Sequence, residues 1–297
     1  MSQGLRRRIA LRDGRGLAYR VYGDPHGSLV LSCHGGLMSG LDAATGDAVA
    51  RSLGIALVSP DRPGIGGSSR SPGRTPLAWA RQDVAALLEH LASPAGGSLD
   101  TDRFAVTGWS EGGQYALAVA RAFPDRVSAV AVVAGALPLA DPAVFAELNR
   151  TDKRVAGLSL RAPLLAAVGF AATRRIARAF PRLTAEASGA ALDASDTRLL
   201  ARHSSWFARC VAEGVADPLG AVDSYRAFVG PWGFSPAEVP VPVVVHQGSA
   251  DRLIPAAWAS RLVDELPDAR LRRYPSEGHF IVLSRRADVL ASLVTPV

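Results

Sequence analysis

Five short apolar runs, each ending at or near a glycine-containing loop, constrain what this chain can fold into. They are SLVLSC (28–33), GIALVSP (54–60), RFAVTG (103–108), VSAVAVVAG (127–135) and VPVVVHQG (241–248). Apolar side chains on both faces suit strands covered on both sides, the arrangement of a parallel sheet. Helical patterns lie between the runs. Residues 75–93 carry Leu77, Val84, Leu87, Leu88 and Leu91 at helical spacing, 111–124 stop at Pro124, and 255–267 open on Pro255. The alternation predicts an α/β protein with a doubly wound, mostly parallel sheet. Right-handed crossovers would put ligands beyond the carboxyl ends of its strands. Ahead of these units, RRRIALRDGRGLAYRVYGD reads as a hairpin turning at Asp13–Gly14.

The rhythm stops between 136 and 235, where no strand-like run appears and prolines 138, 142, 163, 181 and 218 break a mostly helical pattern. The expected organisation is a core of residues 1–135 and 236–297 with a helical cap, 136–235, inserted between two strands. A chain of 297 residues is long enough for both.

Charge and cysteine usage remove several function classes. The net charge is +6, but Lys153 is the only lysine and the arginines run along the whole chain, which predicts no nucleic-acid surface. Two cysteines, Cys33 and Cys210, make neither a disulfide framework nor a zinc cluster. There is no run of about eighteen apolar residues and no cleavage signal after the N-terminal arginines. A cytoplasmic protein with no stable membrane insertion is expected.

The third run leads into VTGWSEGGQYALAVA (106–120), a strand that passes through Gly108-Trp109-Ser110-Glu111-Gly112 into a helix. A sharp turn of this kind lifts a serine hydroxyl above the sheet, with the N–H of Glu111 aimed at developing negative charge. Serine needs a base, and the base needs an orienting acid. Asp251 follows the run at 241–248, and His279 follows the last short strand, so both come after Ser110 in the order this turn requires. Asp141 is the second candidate for the acid and Asp223 the third. Of the other histidines, His26 and His90 read as surface or loop residues, His203 as structural within the cap, His34 as a brace for its loop, and His246 as a core histidine. SCHGGLMSG offers free backbone N–H groups at a strand end, making Gly36, with Leu37, the second half of an oxyanion hole opposite Glu111. DRPGIGGSSR (61–70) lacks phosphate-loop and dinucleotide spacing and reads as a structural loop flanking the pocket.

HGG at 34–36, DRPGIGGSS at 61–69, GWSEGG at 108–113, GSADRLIP at 248–255 and EGHF at 277–280 together resemble the α/β-hydrolase superfamily. The resemblance covers almost everything outside 136–235. It implies an eight-stranded sheet, an inserted cap and a Ser110–His279–Asp251 triad. Haloalkane dehalogenases and epoxide hydrolases of this fold carry an aspartate where this chain has Ser110, and epoxide hydrolases place two tyrosines in the cap, where Tyr225 stands alone. Proline iminopeptidases carry HGGPG, whereas Leu37 follows the glycines here.

The expected activity is a serine hydrolase of carboxylesterase type. It would cleave a small, partly apolar ester, lactone, thioester or amide without metal or cofactor. A C–C bond hydrolase, lyase, cyclase or cofactor-free haloperoxidase on the same scaffold stays open, as does a non-catalytic ligand-binding member of the fold. In the cap, 164–180 set apolar residues beside Arg174, Arg175 and Arg178. The simple expectation there is an amphipathic helix packed on the core with a solvated basic face. Attraction of an anionic substrate, a carrier protein or a membrane surface is the alternative.

Overall fold

The structure, a computed structural model, describes residues 4–294. Its eight strands are β1 (Arg7–Ala10), β2 (Gly16–Gly23), β3 (Ser28–Cys33), β4 (Ile55–Pro60), β5 (Phe104–Trp109), β6 (Val127–Val133), β7 (Val243–Gly248) and β8 (Ala269–Tyr274). They form one sheet in the order β1-β2-β4-β3-β5-β6-β7-β8. β1 and β2 are the expected hairpin, and β2 also runs antiparallel to β4. From β3 onward the pairings are parallel, with β3 between β4 and β5. The fold class is therefore as expected. β4, β5 and β7 are buried along their whole length, which is why they read as unbroken apolar runs.

Helices cover both faces. α1 (Asp47–Ser52) follows a 3-10 turn at Gly40–Gly46. α2 (Pro76–Trp79) runs through a π turn (Ala80–Val84) into α3 (Ala85–Ala92), so the segment expected as one helix is continuous but locally underwound. Thr75 caps it by accepting from the Ala78 N–H. α4 (Gly112–Ala122) follows β5 directly.

Between β6 and β7 lie α5 (Pro142–Glu147), α6 (Arg150–Arg161), α7 (Pro163–Ala179), α8 (Pro181–Gly189), α9 (Ala194–Arg202), α10 (Ser204–Gly214) and α11 (Pro218–Phe228), with no strand among them. Four of the prolines that mark breaks in the sequence, at 142, 163, 181 and 218, open helices, where the missing N–H costs nothing. α12 (Ala256–Glu265), α13 (Ile281–Ser284) and α14 (Arg286–Val294) complete the chain.

One of the inserted helices meets the loop after β3 through bare backbone. A Cβ on Gly214, the last residue of α10, would lie 2.2 Å from the Leu37 carbonyl oxygen, so only glycine lets the helix sit this close to the loop after β3.

Candidate active site

The turn between β5 and α4 is as tight as its glycines suggest. Ser110 has φ +56°, in the left-handed region that non-glycine residues seldom occupy. Its N–H donates to the Val133 carbonyl at 2.8 Å, and its carbonyl accepts from the Gly113 N–H at 2.9 Å. Strand and helix then cross where a Cβ on Gly108 would lie 2.1 Å from the Gly112 carbonyl oxygen. The residue types of the motif follow from that crossing.

Ser110 and His279 line one cavity of about 480 Å³, together with Gly36, Leu37 and Glu111. Asp251 stands behind His279. Its Oδ2 is 2.9 Å from His279 Nδ1, so the ionised carboxylate accepts an Nδ1–H and leaves Nε2 unprotonated in the neutral ring. Asp251 is itself fixed: Oδ1 accepts from the N–H groups of Leu253 (2.8 Å) and Ile254 (3.0 Å), and Oδ2 from the Gln247 amide (3.2 Å). Burial disfavours a charged imidazole, but the Asp251 carboxylate outweighs it, and the pKa of His279 ends above the ordinary value.

The other acids are occupied elsewhere. Asp141 caps α5 by accepting from the Ala143 N–H, and Asp223 pairs with Arg70 at 2.8 Å. His34 is buried. Its Nε2 accepts from the Arg62 N–H at 3.1 Å and its Nδ1 donates to the Gly35 carbonyl at 3.0 Å, a loop brace as expected. His246 is the expected core histidine, between the Tyr274 hydroxyl (2.8 Å) and Ser292 (3.3 Å). His90 differs from expectation: it lies on α3, partly buried, 2.9 Å from the Tyr19 hydroxyl.

The N–H groups of Gly36, Leu37 and Glu111 make no hydrogen bond among the described residues. Leu37 has φ +52°, a second left-handed residue at the cavity. Arg62, in the loop read as merely flanking, ties the two sides together. Its guanidinium donates to the carbonyls of His34 and Gly35 (3.2 Å to the latter) and pairs with the Glu111 carboxylate at 3.0 Å, while stacking over Tyr115. Ser224 on α11 donates to the same carboxylate at 3.0 Å. Burial pushes the Glu111 carboxyl up, against the pull of Arg62 and Ser224.

Two further residues at the site carry no sequence signal. Trp109 donates from Nε1 to the His279 carbonyl at 3.0 Å. Asp196, on α9 and fully buried, accepts from the N–H groups of His279 and Phe280, each at 2.8 Å. Burial raises the Asp196 carboxyl against those two donors.

The cavity walls are mainly apolar, with Trp109, Leu192, Phe207, Phe228 and Ile254 among them, and no lysine or arginine lines it. Asp152, on its wall, is engaged by Asn149 and by the Tyr225 hydroxyl at 2.9 Å. Among the described residues no group of three or more His, Cys, Asp or Glu could hold a metal ion.

The model of the alpha/beta hydrolase family matches residues 29–293. Over 243 residues the chain is 29% identical to a pimeloyl-[acyl-carrier protein] methyl ester esterase of Aromatoleum aromaticum, covering 79% of this chain and 84% of that protein. The structure resembles an enol-lactonase from Burkholderia xenovorans (TM-score 0.68, 17% identity, 98% and 100% of the two chains). It also resembles a thermophilic esterase from Thermogutta terrifontis (0.66, 22%, 97% and 96%) and a bromoperoxidase from Bacillus anthracis (0.72, 17%, 98% and 99%). At these identities the three structures share the fold.

Proposed function

Because this chain belongs to the alpha/beta hydrolase family, we propose that it is a serine hydrolase acting on an uncharged, partly apolar carboxylic ester or lactone. The observation that carries the reading is the Asp251–His279 hydrogen bond, 2.9 Å, behind a cavity that Ser110 also lines. His279 Nε2 takes the Ser110 proton as Oγ attacks the substrate carbonyl. The oxyanion accepts from the N–H groups of Gly36, Leu37 and Glu111, which have no other partner among the described residues. The tetrahedral adduct collapses, the C–O bond to the leaving alcohol breaks, and the imidazolium returns its proton to that oxygen. Water, deprotonated by the same imidazole, then cleaves the acyl-enzyme and releases a carboxylic acid. Asp251 holds the ring and stabilises its charged form.

The absence of a cation on the wall supports an uncharged acyl part. The Aromatoleum relative is named for a methyl ester, which agrees with an ester bond to a small alcohol. A cytoplasmic location fits the two buried, unpaired cysteines.

A fluorophosphonate should label the wild-type protein once, at Ser110, and should leave Ser110→Ala unlabelled. An ester panel of varied acyl length should lose turnover in the same variant. Undiminished hydrolysis by Ser110→Ala would refute the reading.

A further inference from the structure

The expectation for α7 was a basic face in water and an apolar face on the core. The structure corrects it: much of the outward face is apolar. Leu164 is 74% exposed, Leu165 60% and Val168 66%, and Ile176 stands on the same side at helical spacing. Phe180 and Leu183, at the junction with α8, and Leu158 and Leu160, near the end of α6, are exposed as well. Of the eleven large apolar side chains exposed among the described residues, eight lie between 158 and 183. Such clustering marks a surface that something covers.

Charge identifies what covers it. The arginines are spread along the sequence, but the net charge is not. Residues 150–183 contain eight lysines and arginines and one carboxylate, Asp152, so this stretch carries net +7 while the whole chain carries +6. Arg6, Arg15, Arg20, Arg62, Arg70, Arg74, Arg121, Arg261 and Arg285 all have carboxylate partners. Arg150, Lys153, Arg154, Arg161, Arg174, Arg175, Arg178 and Arg182 form no ion pair among the described residues. A second copy of this face would set Arg161, Arg174, Arg175, Arg178 and Arg182 against the same five arginines, which disfavours self-association. An acidic partner satisfies the arginines, but exposed leucines at this density also need a place away from water. An anionic bilayer surface meets both needs: headgroup phosphates for the guanidinium groups, and the acyl boundary for Leu164, Leu165 and Val168.

We propose that α7, with the adjoining ends of α6 and α8, docks on an anionic lipid surface, lying in the plane of the interface without crossing it. No helix among the described residues is long and apolar enough to cross a membrane. α6, α7 and α8 also contribute Val155, Thr173 and Thr184 to the cavity wall, so docking brings the cavity against the lipid.

Vesicle flotation tests the proposal by binding, with ester turnover used only as a control for intact folding. The full chain should float with vesicles of phosphatidylcholine and phosphatidylglycerol in equal parts, release as salt rises, and bind pure phosphatidylcholine at least tenfold more weakly. Arg175→Gln with Arg178→Gln should weaken binding roughly fivefold per arginine. Leu164→Ser, Leu165→Ser and Val168→Ser together should abolish flotation while thermal midpoint and turnover of a short soluble ester stay at wild-type values. Failure of the wild type to float with anionic vesicles would overturn the proposal. So would equally tight binding to soluble polyglutamate that survives the serine substitutions, which would assign the face to an acidic protein. A dimer in sedimentation equilibrium that those substitutions dissolve would assign it to a second copy.

Discussion

Asp196, on a cap helix, holds the backbone of His279 in the core: both carboxylate oxygens accept N–H groups, from His279 and Phe280, at 2.8 Å. The neighbouring Ser195 hydroxyl accepts from the Gly278 N–H at 3.0 Å. The inserted helices therefore help fix where the imidazole sits, in addition to lining the cavity.

Replacing Asp196 by Asn turns one acceptor into a donor facing a buried N–H, a loss of about 1–3 kcal/mol. Asp196→Asn should lower thermal stability. It should also reduce kcat on a soluble ester tenfold or more with KM little changed, and move the acid limb of the profile down, since the carboxylate favours charged His279. A variant with lower stability but an unmoved pH profile would reduce Asp196 to scaffolding.

The acid limb itself follows from His279. Its pKa lies above the ordinary 6.5, so under the proposed mechanism the neutral base is lost as pH falls through that raised value. The kcat/KM of the wild type should therefore fall off at a pH above 6.5. Asp251→Asn removes the carboxylate and leaves burial to dominate, so the limb should shift downward while kcat at its plateau drops by about 10⁴. A pH–rate series on both proteins checks direction and size.

Gly214→Ala places a methyl 2.2 Å from the Leu37 carbonyl oxygen, too close for either backbone to stay put. The expected cost is about 1–3 kcal/mol of stability. Because Leu37 belongs to the loop that carries Gly36, kcat should fall more than KM rises. Steady-state kinetics with a short acyl ester, set beside a denaturant titration, separates the two effects.

His246 makes a prediction about stability alone. It is fully buried, and burial pushes its pKa down to about 4 from the ordinary 6.5. Below 6.5 the unfolded chain takes up a proton that the folded chain refuses, so stability falls between pH 6.5 and 4, by roughly 3 kcal/mol. His246→Gln should flatten that part of the curve, whatever it does at neutral pH. Denaturant midpoints at several pH values in this window give the slope directly.

The legible parts of this molecule are those in which one residue type answers one local demand. β4, β5 and β7 are buried on both faces and could only be apolar. Gly108 and Gly112 stand where strand and helix touch, and Ser110, Asp251 and His279 each follow a strand end, so their order in the chain was enough to nominate them. Asp196 and Arg62 were out of reach for the opposite reason. Both act largely on backbone atoms, Asp196 on N–H groups 83 and 84 positions away, and a backbone amide carries no signature in a sequence. The outward face of α7 is not legible either, because periodicity shows that a helix has two faces without showing what lies against either. The π turn at Ala80–Val84 likewise leaves the spacing of Leu77, Leu87, Leu88 and Leu91 around it looking regular.

Cys33 pairs with Gly108 in the β3–β5 ladder, so the loop carrying Gly36 and the turn carrying Ser110 leave the sheet from a single rung at its middle. Sheets fray inward from their rims, and this rung is among the last to feel it. The histidine comes instead from β8 at the rim, and its ties to Trp109, Asp251 and Asp196 act as moorings against that wear. Gradual damage by heat or denaturant would then strand the proposed proton acceptor first, leaving the proposed nucleophile still in position with nothing to waken it.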